Sequence, residues 1–229
     1  MRKVYCLILA ILLASMFFMA FSSLQEVDME LSDFYLETGV EETGAINMVT
    51  AILFDYRGFD TLGEATVIFA AATIISFLLP KKQTTMLKDE FSLIVHKSIK
   101  SVIPIIFILG VYLVVFGHLS PGGGFTGGVM LAVIAILWTV VFDLEYSESK
   151  LSYSTKSLIE DFGALAFVVI GLFGIIAGST FLASGQANFY LGTPGEILSG
   201  GAIPYLNMAV GAKVGAGLAI IFNSLIKGE

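Results

Sequence analysis

A glycine-rich stretch between two long apolar runs constrains the fold of this chain more than any other feature. Residues 117–128 read GHLSPGGGFTGG, and roughly fifteen apolar residues flank them on each side. Pro121 fixes one φ angle, and Gly122, Gly123 and Gly124 admit φ values that other residues disfavour, so the backbone can reverse here. Lipid cannot satisfy the free N–H and C=O groups of irregular backbone. The stretch, called the glycine corner below, therefore predicts a tight turn between two membrane helices, packed against protein.

The composition indicates an integral membrane protein. Of the 229 residues, 56% are hydrophobic and 14% are charged, which is far from the balance of a soluble domain. The single cysteine, Cys6, excludes an internal disulfide framework and any multi-cysteine metal or iron–sulfur site. The sequence also has no phosphate-loop, zinc-protease or nucleophile-elbow motif. We therefore expect no catalytic residue, no metal and no cofactor in this chain.

Apolar segments predict an all-α, polytopic membrane fold with about six transmembrane helices and glycine-rich outer loops. The predicted helices are residues 4–22, 61–79, 102–116, 127–142, 162–183 and 204–226. A signal peptide usually has an apolar core of about 7–15 residues, so the longer run at 4–22 favours a retained helix. The third and fourth helices have only about fifteen apolar residues each, against the ~20 needed to cross a bilayer. We expect the glycine corner to supply the difference.

The basic residues fall on one side of this six-helix arrangement, as the positive-inside rule requires. Arg57 is on the other side and Lys213 is inside a helix. This distribution predicts a cell-membrane protein with both termini in the cytoplasm. The bases on the inner side are Arg2, Lys3, Lys81, Lys82, Lys88, Lys97, Lys100, Lys150, Lys156 and Lys227.

The polar stretch at residues 23–60 is acidic, and we expect it to be an outer loop. Apolar residues at helical spacing predict a short helix over residues 45–56. That helix either lies along the outer interface or is buried against the protein. A second polar linker follows the second predicted helix and runs to Ser101. We divide the chain within this linker into two modules, residues 1–95 and 96–229.

Two carboxylates open the second predicted helix. Asp60 and Glu64 are four residues apart and share one helical face, where they could form part of a proton or cation path. Alternatively, Asp60 caps the helix with Thr61, and Glu64 lies in the first turn, where the helix dipole favours anions. We favour capping for Asp60 and leave both interpretations open for Glu64.

Lys213 is the most costly residue to place in the membrane, with roughly ten residues of helix on either side. A lysine at mid-bilayer costs about 2.5–3.5 kcal/mol, so we expect a buried carboxylate or carbonyl partner that serves transport or assembly.

His118, beside the glycine corner, could sample both charge states, although a lone loop histidine is usually a hydrogen-bonding residue. Capping and solvated charge explain four further acids beside predicted helices: Asp143, Glu145, Glu160 and Asp161.

Two regions resemble the multiple-resistance-and-pH (Mrp) family of cation/proton antiporters. Residues 47–64, NMVTAILFDYRGFDTLGE, resemble the C-terminal end of the large A-type subunit. The chain from about residue 95 resembles the B-type subunit through Gly117-His118, the PGGGF of residues 121–125, the GTPGE of 192–196 and Lys213-Val214-Gly215. Here a short A-like end is joined to a B-like domain, which is similar to the membrane modules of archaeal membrane-bound hydrogenases and sulfur-reducing complexes.

The resemblance implies a membrane subunit of a multisubunit sodium/proton antiporter module, alone or coupled to hydrogenase-like or sulfur-reducing redox subunits. It maps the family's acidic residues onto Asp60 and Glu64, and its corner residues onto His118, Pro121 and Phe125. The resulting candidates for ion translocation are Asp60, Glu64, His118 and Lys213, and the structural corner is Pro121, Gly122, Gly123, Gly124 and Phe125. Two functions remain open: a subunit whose charges line an ion path, or a structural subunit that conducts no ion.

Overall fold

The computed structural model describes residues 30–78, 91–177 and 179–227, together with residues 7, 10–12, 14–16, 18, 19 and 22. These residues form helices, turns and irregular segments, and none of those described is in a strand. The chain divides into two compact units, residues 1–37 and 38–229. The described residues between 7 and 22 are helical. The rest of the predicted first helix, Gly178 and the basic linker with Lys81, Lys82 and Lys88 lie outside the described residues.

Eight α-helices are present within these described ranges. They are α1 (Glu30–Thr43), α2 (Met48–Ala51), α3 (Gly58–Leu78), α4 (Leu93–Val115), α5 (Gly124–Val141), α6 (Leu144–Lys150), α7 (Tyr153–Ile176) and α8 (Ile203–Lys227). A π-helical turn, Ile52–Tyr56, joins α2 to α3, and a 3-10 turn, Gly185–Ala187, precedes α8.

Four of these helices, α4, α5, α7 and α8, are long and apolar enough to cross a membrane. They correspond to the third to sixth predicted helices, and the 21-residue α3 coincides with the second. The expectation that the third helix is short is wrong: α4 begins at Leu93 and has 23 residues. Lys97 and Lys100 led us to place its first turns in a polar linker, although both residues are helical.

The fifth predicted helix is displaced along the sequence. α7 begins at Tyr153, nine residues before the predicted Phe162, and ends at Ile176. Ser152 caps it, since its Oγ accepts a hydrogen bond from the backbone N–H of Thr155 at 3.2 Å. Lys156 and Glu160 are therefore inside α7 and do not precede it.

The acidic stretch at residues 23–60 is also more ordered than a loop. Residues 30–43 form α1, whose first turn carries Glu30 and Asp33, where the helix dipole favours anions. The predicted helix at 45–56 is divided into α2 and the π-helical turn. Ala51 and Phe54 are buried in the core of the second unit, so this segment packs against the protein, as in the second of the two alternatives.

The core of the second unit is built around α8, which packs against α3, α4, α5 and α7. α8 is the most buried of the four candidate spans, and α4 is the least buried. Glycines allow the close approach: a Cβ on Gly128 of α5 would be 2.8 Å from the carbonyl oxygen of Gly211, and one on Gly163 of α7 would be 2.6 Å from that of Ala209. Charged side chains between these helices contact each other.

Candidate functional site

The glycine corner reverses the chain between α4 and α5. Gly123 has a φ of 121°, and its N–H donates to the carbonyl oxygen of Leu113 in the last turn of α4 at 3.0 Å. A residue with a side chain rarely adopts this φ, which explains the glycine at this position. Pro121 is exposed, and Phe125 is 40% exposed, so neither is an anchor within the core of this chain.

The segment before α3 is hydrogen-bonded to the glycine corner. The amide of Asn47 donates to the carbonyl oxygens of Gly117 and Ser120 at 2.7 and 2.9 Å. The hydroxyl of Thr50 donates to the same Gly117 oxygen at 2.9 Å, and the Asn47 N–H donates to the oxygen of His118 at 3.0 Å. The two regions that resemble different antiporter subunits therefore form one structure here.

Asn207 closes the corner from the side of α8. Its Oδ1 accepts a hydrogen bond from the backbone N–H of Gly124, the first residue of α5, at 2.7 Å. The residue is fully buried, and its Nδ2 has no hydrogen-bond partner within the described part of the chain. Sequence reasoning missed Asn207, because an asparagine four residues into an apolar helix carries no signal of what it contacts.

A cavity of about 150 Å³ lies between the α2–α3 segment and the glycine corner. Thr50, Thr61 and Glu64 line it on one side, and residues 122–126 line it on the other. The Glu64 side chain is exposed in the second turn of α3. An exposed carboxylate can bind a proton or attract a cation, so a part for Glu64 in an ion path stays a prediction.

Asp60 has a simpler environment. It lies inside the first turn of α3, which begins at Gly58, so it does not cap the helix as we expected. Its carboxylate pairs with Arg57 at 2.6 Å, and the two side chains are 44% and 62% exposed. Exposed pairs of this kind contribute little stability, and the geometry assigns Asp60 no further partner among the described residues.

His118 is fully buried beside the corner, and neither ring nitrogen has a hydrogen-bond partner among the described residues. Burial lowers the pKa of His118 below its ordinary value, although backbone carbonyls of Ile197, Glu196 and Val115 lie near enough to favour the charged form. Burial thus favours the neutral ring, which lies beside the loop at Gly200. This environment suits a buried packing residue better than an exposed proton carrier.

Lys213 has the buried carboxylate partner that we predicted. Its Nζ is 3.3 Å from Oε1 of Glu160 in α7, and the two side chains are 9% and 10% exposed. The ammonium group also lies 5.4 Å from the centre of the Phe69 ring in α3. The interpretation of Glu160 as a capping or solvated residue is wrong, because α7 begins seven residues earlier and Glu160 faces α8.

A second buried ion pair lies near the start of α7. Lys156 has no exposed surface, and its Nζ donates to Oε1 of Glu148 in α6 at 2.6 Å. Asn223 of α8 donates to the same oxygen at 3.0 Å, and the hydroxyl of Thr139 in α5 donates to Oδ1 of Asn223 at 2.7 Å. Lys156, which we placed among the bases on the inner side, is therefore buried in an ion pair, and four helices meet at this polar network.

Glu148 and Asp55, both outside the candidate spans, have shifted pKa values. Burial raises the pKa of Glu148, but hydrogen bonds from Lys156 and Asn223 outweigh it, and the net pKa lies below its ordinary value. Burial raises the pKa of Asp55 to about 6, against a hydrogen bond that its Oδ1 accepts from the N–H of Ser184. Asp143 has the capping role that we predicted, since it accepts from the N–H of Tyr146 at the start of α6.

Comparison with known proteins identifies the family. Residues 94–220 match the family model for a domain related to the MnhB subunit of Na⁺/H⁺ antiporters. The chain belongs to this MnhB-related family. Residues 1–86 match a second family model, that of the MbhE subunit of MBH. The predicted resemblance to Mrp-type antiporter subunits is confirmed, and the protein is a multi-pass membrane subunit of an antiporter-type module.

Individual relatives agree with this assignment. The uncharacterized protein MJ1307 of Methanocaldococcus jannaschii is 34% identical over 197 residues, which cover 76% of this chain and 74% of that protein. The B-type subunit of the Na⁺/H⁺ antiporter of Alkalihalophilus pseudofirmus is 29% identical over 130 residues, covering 57% of this chain and 90% of that protein. The match thus covers nearly all of the bacterial protein.

Solved structures match over the whole chain. A chain of the membrane-bound sulfane sulfur reductase, an archaeal respiratory membrane complex, is similar with a TM-score of 0.77 and 32% identity, covering 100% of both chains. A chain of the Mrp complex from a Dietzia species is similar with a TM-score of 0.70 and 22% identity, covering 98% of this chain and 26% of that one. The second likeness shows a shared fold.

Proposed function

We propose that this chain is a membrane subunit of a multisubunit sodium/proton antiporter module that both assembles the module and contributes Glu64 to its ion route. The observation that carries the proposal is the exposed Glu64 carboxylate on the cavity between α3 and the glycine corner. A carboxylate on a membrane helix is costly unless it faces water, protein or an ion. Its position beside backbone that is already held by Asn47 and Thr50 gives it a fixed environment.

The partners in this proposal are other Mrp-type antiporter subunits, together with the redox subunits of a sulfur-reducing or hydrogenase-like complex. The full-length similarity to a chain of the sulfane sulfur reductase supports redox partners. The name of the Alkalihalophilus relative supports sodium as the cation and protons as the exchanged ion, whereas a relative from Rhizobium meliloti is named as a probable K⁺/H⁺ antiporter subunit. Within the complex, this subunit transports ions and the redox subunits do the electron chemistry.

The topology in this proposal has six membrane helices, with both termini in the cytoplasm, and two modules, residues 1–95 and 96–229. α4 begins at Leu93, so the proposed boundary falls in the first turn of α4. Cysteines placed at Glu37 and at Lys97, both exposed, should be labelled from opposite sides of the membrane in a chain lacking Cys6. Labelling of both positions from outside would contradict this topology.

A purely structural subunit that conducts no ion is the alternative function. The hydrogen bonds from Asn47 and Thr50 to the corner favour it, because they fix the fold without involving a titratable group. The two functions differ in what happens when Glu64 loses its charge. A structural subunit tolerates the neutral side chain, and a conducting subunit does not.

Glu64→Gln tests the proposal in the assembled complex. The substitution keeps the shape of an exposed side chain, so assembly on native gels should be unchanged. Sodium-dependent pH change in vesicles, normalised to assembled complex, should fall. Glu41→Gln is the matched control, since Glu41 is an exposed carboxylate of α1 away from the cavity. Normal exchange by Glu64→Gln across the working pH range would favour the structural alternative.

A further inference from the structure

The two buried ion pairs share one helix. Lys156 and Glu160 are four residues apart on α7, so their side chains leave the same face, separated by about 6 Å along the axis. Glu160 contacts Lys213 of α8, and Lys156 contacts Glu148 of α6. Together the four side chains form a row of alternating charge, Lys213, Glu160, Lys156 and Glu148, which we call the charge row.

The charge row becomes accessible only at its Glu148 end. The side chains of Lys213 and Glu160 are 9% and 10% exposed, and that of Lys156 has no exposed surface, whereas that of Glu148 is 32% exposed. Buried ion pairs are weak sources of stability, because desolvation offsets their attraction. Two such pairs within one turn of a membrane helix therefore call for a function besides stability.

We propose that Lys156 carries protons between Glu148 and Glu160, so that the charge row connects the middle of the membrane to water at the α6 end. This inference rests on the ion route proposed above and extends it to a second set of residues. Residues at i and i+4 of a helix are neighbours, so the ammonium group that now contacts Glu148 at 2.6 Å can reach Glu160 by rotation of its own side chain.

The step conserves protons and charge. Lys213 first gives its proton to the next carboxylate of the ion route, and the Lys156 ammonium then turns to Glu160 and gives its proton to that carboxylate. Glu148, no longer paired, takes a proton from water at its exposed edge. The neutral Lys156 amine returns and takes this proton, while Glu160 reprotonates Lys213, and all four groups regain their starting state. The net change is one proton taken from water at Glu148 and one proton delivered from Lys213 to the next carboxylate of the route.

The surrounding groups hold Glu148 still while Lys156 moves. Asn223 donates to Oε1 of Glu148 at 3.0 Å, and the backbone N–H of Tyr153 donates to Oε2 at 2.6 Å. Thr139 in turn fixes the Asn223 amide. The lowered pKa of Glu148 depends in part on the contact with Lys156, so departure of the ammonium makes the carboxylate a better proton acceptor.

Lys156→Arg in the whole complex separates a proton carrier from a structural cation. Arginine keeps the positive charge and can still bind Glu148, but it does not release its proton in proteins. Assembly on native gels should be preserved, and sodium-dependent proton exchange in vesicles should fall about tenfold or more, as when a group that transfers protons is removed. Lys150→Arg, the same change at an exposed base of α6, is the matched control and should exchange normally.

Exchange by Lys156→Arg at the normal rate per assembled complex would overturn the proposal. If the longer side chain prevents assembly, Glu148→Gln decides instead, because it keeps one oxygen that can accept from Asn223 but cannot be protonated from water; exchange is again normalised to assembled complex. Normal exchange by that variant would also overturn the proposal. If Glu64→Gln loses exchange and Lys156→Arg does not, only the proton route along the charge row is rejected. If Lys156→Arg loses exchange and Glu64→Gln does not, only the role of Glu64 is rejected.

Discussion

Removal of the Lys213 ammonium should destabilise the protein far more than loss of an ordinary surface charge. Lys213→Met keeps most of the volume of the side chain but leaves Glu160 buried without its cation. The carboxylate is only 10% exposed, and α3 covers the pair from the side of Phe69. Lys156, one turn away on α7, can take the place of Lys213 only by leaving Glu148 unpaired, so one carboxylate loses its cation in either case.

The size of the effect follows from this burial. Breaking a buried pair by removing one partner costs about 3–5 kcal/mol. At about 1.4 kcal/mol per tenfold change in an equilibrium constant, this shifts the folding equilibrium by roughly two to three and a half powers of ten. The double variant Lys213→Met with Glu160→Gln has no unpaired charge at this position, so it should regain much of the stability that Lys213→Met loses.

Thermal melting of the purified complex, with recovery on native gels, measures the prediction. Lys213→Met should lower both the melting temperature and the yield of assembled complex, and the double variant should lie between it and the unmodified chain. Asp161→Asn, at an exposed residue next to Glu160, is the control and should melt normally. A Lys213→Met complex that melts normally would refute the reasoning that Glu160 depends on this ammonium.

Three further substitutions test the corner and the outer segment. Gly123→Val should reduce recovered complex, because a β-branched residue resists the φ of 121°, at a cost of about 1–3 kcal/mol. Asn207→Ala should lower thermal stability by about 1–2 kcal/mol through loss of the hydrogen bond that its Oδ1 accepts from the N–H of Gly124. The pKa of Asp55 is about 6 in the fold and 3.8 for an unperturbed aspartate, so the fold binds the proton more tightly and stability should fall as the pH rises from 3.8 to 6. Melting curves of Asp55→Asn should lack this pH dependence.

The sequence predicted the apolar helices and the corner, because hydrophobic runs and glycine act locally. It also predicted that Lys213 has a buried partner, since the cost of burying a charge does not depend on the fold. It did not predict which partner, because Glu160 was interpreted as lying before a helix. Ser152, followed three residues later by Thr155, is an N-cap signal that would have started α7 early enough to place Glu160 inside it.

Other parts of the site depend on tertiary contacts that no local pattern shows. Asn207 and Gly124 are 83 residues apart in sequence, and Thr139 and Asn223 are 84 apart. Lys156 has the sequence environment of an exposed inner base, and only the packing of α6, α7 and α8 buries it. The charge row therefore had no sequence signal, although each of its members is visible in the sequence.

Protection of Glu64 by sodium is the most direct test of the central claim, that this carboxylate belongs to the ion route. A hydrophobic carbodiimide reacts with accessible protonated carboxyl groups, and mass spectrometry of the labelled complex reports each residue separately. Labelling of Glu64 should fall when sodium chloride replaces choline chloride at equal ionic strength, while labelling of Glu41 should not change. Equal labelling of Glu64 in both salts would contradict competition between sodium and protons at this residue.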